Sequence, residues 1–270
     1  MKPIIVIRGG GDLASGIAIR LFRAGFMVLI TEIQKPLSVR RTVSFSEAIY
    51  DGTTTIENVI ARKVNSIDEI NDCIDHEIPI IVDRDLEFIK EYSSNVAVLI
   101  DARMEKKPIR EDLYKDFPFV IGIGPGFFAG NNCNVVIESN RGHSLGRIYH
   151  QGNSKDDTGI PSGDPNRVLR APCDGIIQNF NSVGDVVYKN QVISRVGEND
   201  IKAPFSGLIR GLIHEGIEVQ TGMKIGDLDH QINEDLCLHI SDKALAIGGS
   251  VLEVLLSDTL LLPNNRNDPN

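Results

Sequence analysis

Residues 171–193 and 203–225 carry one pattern twice, and no other feature of the chain constrains its folding as tightly. The first copy reads Ala171-Pro172, Gly175, Gly184, Val187, Ile193. The second reads Ala203-Pro204, Gly207, Gly216, Val219, Ile225, so every pair is offset by 32 positions. Self-similarity at a fixed period exposes a building unit that does not bury its own apolar face. Each copy opens on Ala-Pro, turns at a Gly, runs through a β-rich stretch and turns at a second Gly into a strand. Two such units are expected to close their apolar faces against each other.

The duplicated stretch resembles the barrel-sandwich domain of biotin and lipoate carriers. In those carriers a modified lysine stands at the tip of the hairpin that joins the halves. Here the join is Gly197-Glu198-Asn199-Asp200, which holds no lysine, and Lys202 falls at the start of the second half as a strand residue. The resemblance therefore implies a biotinyl/lipoyl-like fold with neither biotin nor lipoate.

The N-terminal part has a different rhythm. Ile4-Ile5-Val6-Ile7 is a short β-branched run of the kind found in buried strands. Glycines 9–11 follow, then helical spacing at Ile17, Leu21 and Phe22 with a stop at Gly25, then Met27–Ile30 as a second strand ending at Thr31-Glu32. Further apolar runs at Ile78–Val82, Val96–Ile100 and Phe119–Ile121, with a candidate strand within Glu57–Lys63, alternate with helical segments at Ile67–Ile74 and Leu86–Tyr92. This alternation predicts an α/β, Rossmann-like domain with a mainly parallel sheet. The expected organisation is a Rossmann-like domain over 1–151, a polar linker over 152–166 and a small all-β barrel-sandwich domain over 167–230. A C-terminal helical segment over 231–262, capped by Ser241, and a disordered tail over 263–270 complete it.

The net charge of −9 in 270 residues disfavours a nucleic-acid partner, which needs a basic face. No apolar run approaches the roughly 18–20 residues needed to span a bilayer. Met1-Lys2-Pro3 enters a strand without a signal-like leader, so a cytoplasmic location and no membrane partner are expected. Cys73, Cys133, Cys173 and Cys237 form no CxxC, and the six histidines include no HxxxH or HExxH, so no metal site is expected. A homo-oligomer is compatible with all of this.

The candidate ligand residues lie at strand ends. Gly9-Gly10-Gly11-Asp12-Leu13-Ala14 meets the GxGxxA form of the dinucleotide fingerprint, and Glu32 stands where an acid binds a ribose hydroxyl. Asp12 opposes a bound pyrophosphate, so a plain Gly turn with Asp12 as helix cap is equally open. Asp101 and Arg103 follow another strand, and Gly124-Pro125-Gly126 follows the next, either as amides near a ligand or as a sharp reversal. Arg40-Arg41 suits a phosphate or carboxylate, or forms a solvated face. His143, between glycines and arginines, is a candidate acid, base or anion donor, or a structural histidine. No catalytic residue is assigned. Gly248-Gly249 inside a helix points to close helix packing.

Nearly the whole chain, through Ile7–Gly16, Thr31–Val43, Gly122–Phe127, Arg141-Gly142-His143, Leu169–Pro172, Gly211–His214, Lys224–Asp227 and Ser241–Gly249, resembles the selenium-dependent molybdenum hydroxylase system protein family. The resemblance implies an accessory or maturation factor for a selenium-dependent molybdenum hydroxylase. Such a factor binds molybdopterin, molybdenum cofactor or a phosphate-containing precursor in the strand-end cleft and has the hydroxylase or its maturation proteins as partners. Two rival expectations are an NAD(H)-dependent oxidoreductase using Gly9–Ala14 and a scaffold that docks the hydroxylase.

Overall fold

The computed structural model describes residues 3–105, 113–157, 159 and 163–258. The first half runs β1 (Ile4–Arg8), α1 (Asp12–Arg23), β2 (Met27–Glu32), α2 (Ala48–Asp51), β3 (Thr53–Ile56), β4 (Val59–Val64), α3 (Ile67–Cys73), β5 (Ile78–Val82), α4 (Glu87–Glu91), β6 (Val96–Asp101), α5 (Leu113–Asp116), β7 (Val120–Ile123), β8 (Phe128–Ala129), β9 (Val135–Ile137), β10 (Ile148–Tyr149) and β11 (Gly152–Asn153). The second half runs β12 (Val168–Arg170), β13 (Gly175–Asn179), β14 (Val186–Val187), β15 (Val192–Val196), β16 (Asn199–Lys202), β17 (Gly207–Leu212), β18 (Glu218–Val219), β19 (Lys224–Asp229), α6 (Asp235–Leu238) and α7 (Asp242–Ser257).

Nine strands form one sheet in the order β10-β9-β7-β6-β1-β2-β5-β4-β3. Its centre is parallel, and both edges are antiparallel: β3 on β4 and β10 on β9. Alternate side chains of β1 serve two cores, as period-2 geometry requires. Ile5 and Ile7 pack with α1 and α7 on one face, whereas Ile4 and Val6 pack with residues of α3 and α4 on the other. Burial on both faces explains why the inner strands are unbroken apolar runs. The strand order reverses at β1, whose neighbours are β2 and β6, so the loop leaving Arg8 opens at a topological switch point.

The expected fold class is corrected in two respects. The large sheet is mixed: its centre is parallel, and antiparallel pairing enters at both edges, where β3 pairs with β4 and β10 with β9. A biotinyl/lipoyl-like barrel-sandwich is also not borne out. The repeat region divides into two four-stranded antiparallel sheets, β12-β19-β17-β14 and β16-β15-β13-β18. The offset of 32 seen in the sequence recurs in the pairing. Val186 pairs with Leu208 and Glu218 pairs with Ile176. Arg170 pairs with Lys224, and Lys202 pairs with Val192. Each copy thus lends its short strand, β14 or β18, to the sheet of the other, and one apolar core lies between them.

The C-terminal helix forms where its cap sits: Ser241 Oγ accepts the Ala244 N–H at 3.2 Å. It packs on α1 within the first core. Gly248 explains the closeness, since a Cβ there would stand 3.0 Å from the Gly16 carbonyl oxygen, whereas Gly249 faces open space. The expected tail, 263–270, lies outside the described residues, as do 158 and 160–162 of the expected linker. Among the described residues no helix is long and apolar enough to cross a membrane.

Candidate anion site between sheet and repeat region

The Gly-rich loop is shaped from within. Gly9 takes a φ of +95°, which favours glycine, and its N–H donates to the Thr31 carbonyl at 2.8 Å. Gly10 is pressed against the chain itself: the Ser46 N–H donates to its carbonyl at 2.9 Å, and a Cβ on Gly10 would stand 3.0 Å from the Ser46 nitrogen. The Glu32 carboxylate accepts the N–H of Gly10 and of Ile33, each at 2.7 Å. Burial pushes the Glu32 acid above its ordinary range, against those two hydrogen bonds. The structure thus uses Glu32 to hold the loop. Asp12 does not cap α1; Gly11 occupies the cap position, and Ser15 Oγ bonds back to the carbonyls of Gly10 and Gly11.

The other strand-end candidates separate. Arg103 wraps the buried Asp101 carboxylate through Nε and Nη2, at 3.0 and 2.7 Å, and Arg8 approaches the same carboxylate at 3.7 Å. Gly124 takes a φ of +77° over Ser139, and Gly126 a φ of +100°. His143 is exposed and lines neither the cleft between the sheet and the repeat region nor the one over the Gly-rich loop. Arg40 and Arg41 part company. Arg41 bridges the halves, with Nε donating to the Leu212 carbonyl at 2.9 Å and Nη1 to Glu47 at 2.7 Å. Arg40 is buried and points into a cleft.

That cleft, of about 640 Å³, opens between the sheet's strand ends and the repeat region. Asp12, Leu13 and Pro125 line it from the first half, together with Arg40 and Arg141. Arg167, Arg210, Lys224 and Asp227 line it from the second. Arg40 donates to the carbonyls of Leu236 and His239 at 2.9 and 3.4 Å and meets Asp12 at 3.5 Å. Burial lowers the pKa of this guanidinium, and Arg210 lowers it further. Asp227, 1% exposed, is held by Arg167, by Arg210 at 3.3 Å and by Lys224 at 3.4 Å. Burial likewise lowers the Lys224 ammonium, offset in part by Asp227. The Nε groups of both Arg40 and Arg210 are buried without a hydrogen-bond partner. Asp12 and Ser241-Asp242 also line the cleft, so the N-terminal ends of α1 and α7 both face it.

The two copies of the repeat differ in these groups. By the offset of 32, Arg210, Lys224 and Asp227 correspond to Gln178, Val192 and Arg195 in the other sheet, and Arg167 corresponds to Asn199. The pairing of β12 with β19 repeats that of β16 with β15, whereas β17 carries a bulge between Ile209 and Gly211 that β13 lacks, so Arg210 stands at an irregularity of one copy alone. Sequence reasoning missed Arg167, Arg210, Lys224 and Asp227. The available signal was this loss of symmetry between the copies.

Among the described residues, no group of three or more His, Cys, Asp or Glu is placed to hold a metal ion. Burial pushes the Cys133 thiol up to about 12 and that of Cys73 up to about 11.

No family model matches the chain. It is 41% identical over 270 residues to "Uncharacterized protein YqeB" of Escherichia coli (strain K12), covering 95% of this chain and 49% of that protein. The chain therefore spans about half the length of the curated relative it matches. Among solved structures, an aspartoacylase family protein from Mesorhizobium loti matches at 15% identity, with 84% of this chain and 85% of that one covered and a TM-score of 0.26. A succinylglutamate desuccinylase/aspartoacylase from Rhodobacter sphaeroides matches at 10% identity, with 86% of each chain covered and a TM-score of 0.28. Superposition this loose carries no functional argument. None of these proteins is described as a molybdenum-hydroxylase accessory factor. The resemblance to the selenium-dependent family and its implied maturation role are accordingly corrected. The two rival expectations, an NAD(H)-dependent oxidoreductase and a hydroxylase-docking scaffold, are set aside with it.

Proposed function

We propose that this chain binds a small phosphate-bearing anion in the cleft between the sheet and the repeat region. The observation that carries this is the asymmetric charging of two sheets built from copies of one repeat. Arg210 and Lys224 appear only in the sheet that faces Arg40 and the starts of α1 and α7. Guanidinium groups with unpaired buried N–H donors suit phosphate oxygens, whereas the starts of α1 and α7 carry Asp12 and Asp242 and add no net attraction. Both halves supply ligands, so occupancy would tie them together and raise apparent stability by mass action. A cytoplasmic location belongs to the same proposal, supported by four cysteines that remain free thiols.

The test is calorimetric titration with inorganic phosphate and pyrophosphate. The comparison is wild type against Arg210→Gln/Lys224→Val, which restores the residues of the other copy. Saturable binding that weakens at least tenfold in the variant is expected. Absence of binding to wild type, or equal binding by both proteins, would overturn the proposal.

A further inference from the structure

Asp12, Leu13 and Met104 line the interdomain cleft and also a second cleft, of about 900 Å³, over the Gly-rich loop. The two spaces meet at the start of α1 and differ in chemistry. Arg210 and Lys224 line only the first. In the second, Leu37 and Val82 present exposed apolar surface, 46% and 39% accessible, between charged side chains of both signs such as Lys35, Arg84 and Glu105. Thr31 also lines it, and its Oγ1 is buried without a hydrogen-bond partner. A bare phosphate would fill a small part of the first space and leave the apolar wall and the Thr31 hydroxyl unused. Ligand clefts of this size ordinarily take a mostly apolar body fixed by a few polar groups.

We infer that the ligand is a phosphate monoester with an uncharged, ring-sized organic body. The phosphate lies by Arg40, Arg210 and Lys224, and the body passes Asp12 and Leu13 to rest against Leu37 and Val82. Asp12 sets the charge rule. Its carboxylate stands where the two clefts join and is paired with Arg40 at 3.5 Å; it repels a ligand body that carries negative charge at that point and holds the phosphate to the Arg210 and Lys224 side of Arg40. This inference rests on the anion reading of the first cleft and adds to it the chemistry of the attached body.

The test titrates inorganic phosphate, phenyl phosphate and 1-naphthyl phosphate into wild type, Leu37→Gln/Val82→Gln and Lys224→Val. Leu37 and Val82 are exposed, so the double variant should fold, and its thermal melt is to be measured beside that of wild type. The expected result is at least tenfold tighter binding of 1-naphthyl phosphate than of phosphate. The double variant should lose that gain while its phosphate affinity stays within twofold. Lys224→Val should weaken all three probes. Equal affinity for the three probes in wild type would overturn the inference and leave the anion reading standing. A naphthyl gain that survives in the double variant would also overturn it, since the body would then lie elsewhere. Failure of every probe to bind wild type would remove the anion reading and the inference together.

Discussion

Gly16 of α1 faces Ala244 of α7 so closely that a Cβ on Gly16 would stand 2.6 Å from the Ala244 Cβ. The contact locks the two helices whose starts face the anion cleft. Gly16→Ala should destabilise the protein by about 1–3 kcal/mol through overpacking, and Ala244→Gly in the same chain should restore part of the loss. Gly249→Ala, which meets open space on α7, should instead stabilise by about 1 kcal/mol. Urea denaturation of the four proteins checks both signs.

Asp227 competes with any anion for its cations. Asp227→Asn should bind phosphate more tightly than wild type, because the resident carboxylate no longer engages Arg210 and Lys224. The same change leaves buried cations less compensated and should lower stability by about 3–5 kcal/mol. Calorimetric titration and thermal denaturation should therefore move in opposite directions.

Arg41 is expected to matter for the union of the halves. Arg41→Met removes the donor to the Leu212 carbonyl and the partner of Glu47. A loss of about 1–3 kcal/mol is expected. Proteolysis should cut the variant between its halves faster than wild type.

Glu32 makes a pH prediction. Its acid is raised in the folded protein, so the folded state holds a proton that the unfolded state has released. That happens as pH climbs from the ordinary glutamate range towards the raised value. Its contribution is present below the ordinary glutamate pKa and is lost as pH rises through the folded one. Glu32→Gln should flatten that fall. Stability measured by urea from pH 4 upward checks the slope, and an unchanged slope in the variant would exclude Glu32 as its source.

Thiol labelling distinguishes the cysteines. Cys133 and Cys73 are buried, with acids pushed up to about 12 and about 11. Iodoacetamide at pH 8 should modify Cys173, which is partly accessible, and reach the other two only on unfolding.

The centre of the fold was legible because local signals agreed there. An apolar run, a Gly turn and helical spacing delimited β1, α1 and β2, and Ser241 marked the start of α7. The sheet's edges were not legible. Thr53-Thr54-Thr55 and the two residues of β10 carry little periodicity, and only pairing with β4 and β9 makes them strands. At the site, Arg40 and Asp12 were legible as polar groups near strand ends. Glu32 was read as a ribose-binding acid from its place at the end of β2, and that spacing gave no sign that its carboxylate also accepts the N–H groups of Gly10 and Ile33. Arg167, Arg210 and Lys224 come from separate strands and turns, so no local spacing announces them.

The crossed lending of β14 and β18 has a consequence for ancestry. A single copy of the repeat would carry a short strand with no partner in its own sheet and an apolar face with no lid. It could satisfy both only by meeting a second copy of itself, exchanging strands about a two-fold axis. The repeat region thus has the form of a symmetric dimer recorded in one chain. Because both copies lie in one chain they need not be identical, and only the second carries Arg210 and Lys224.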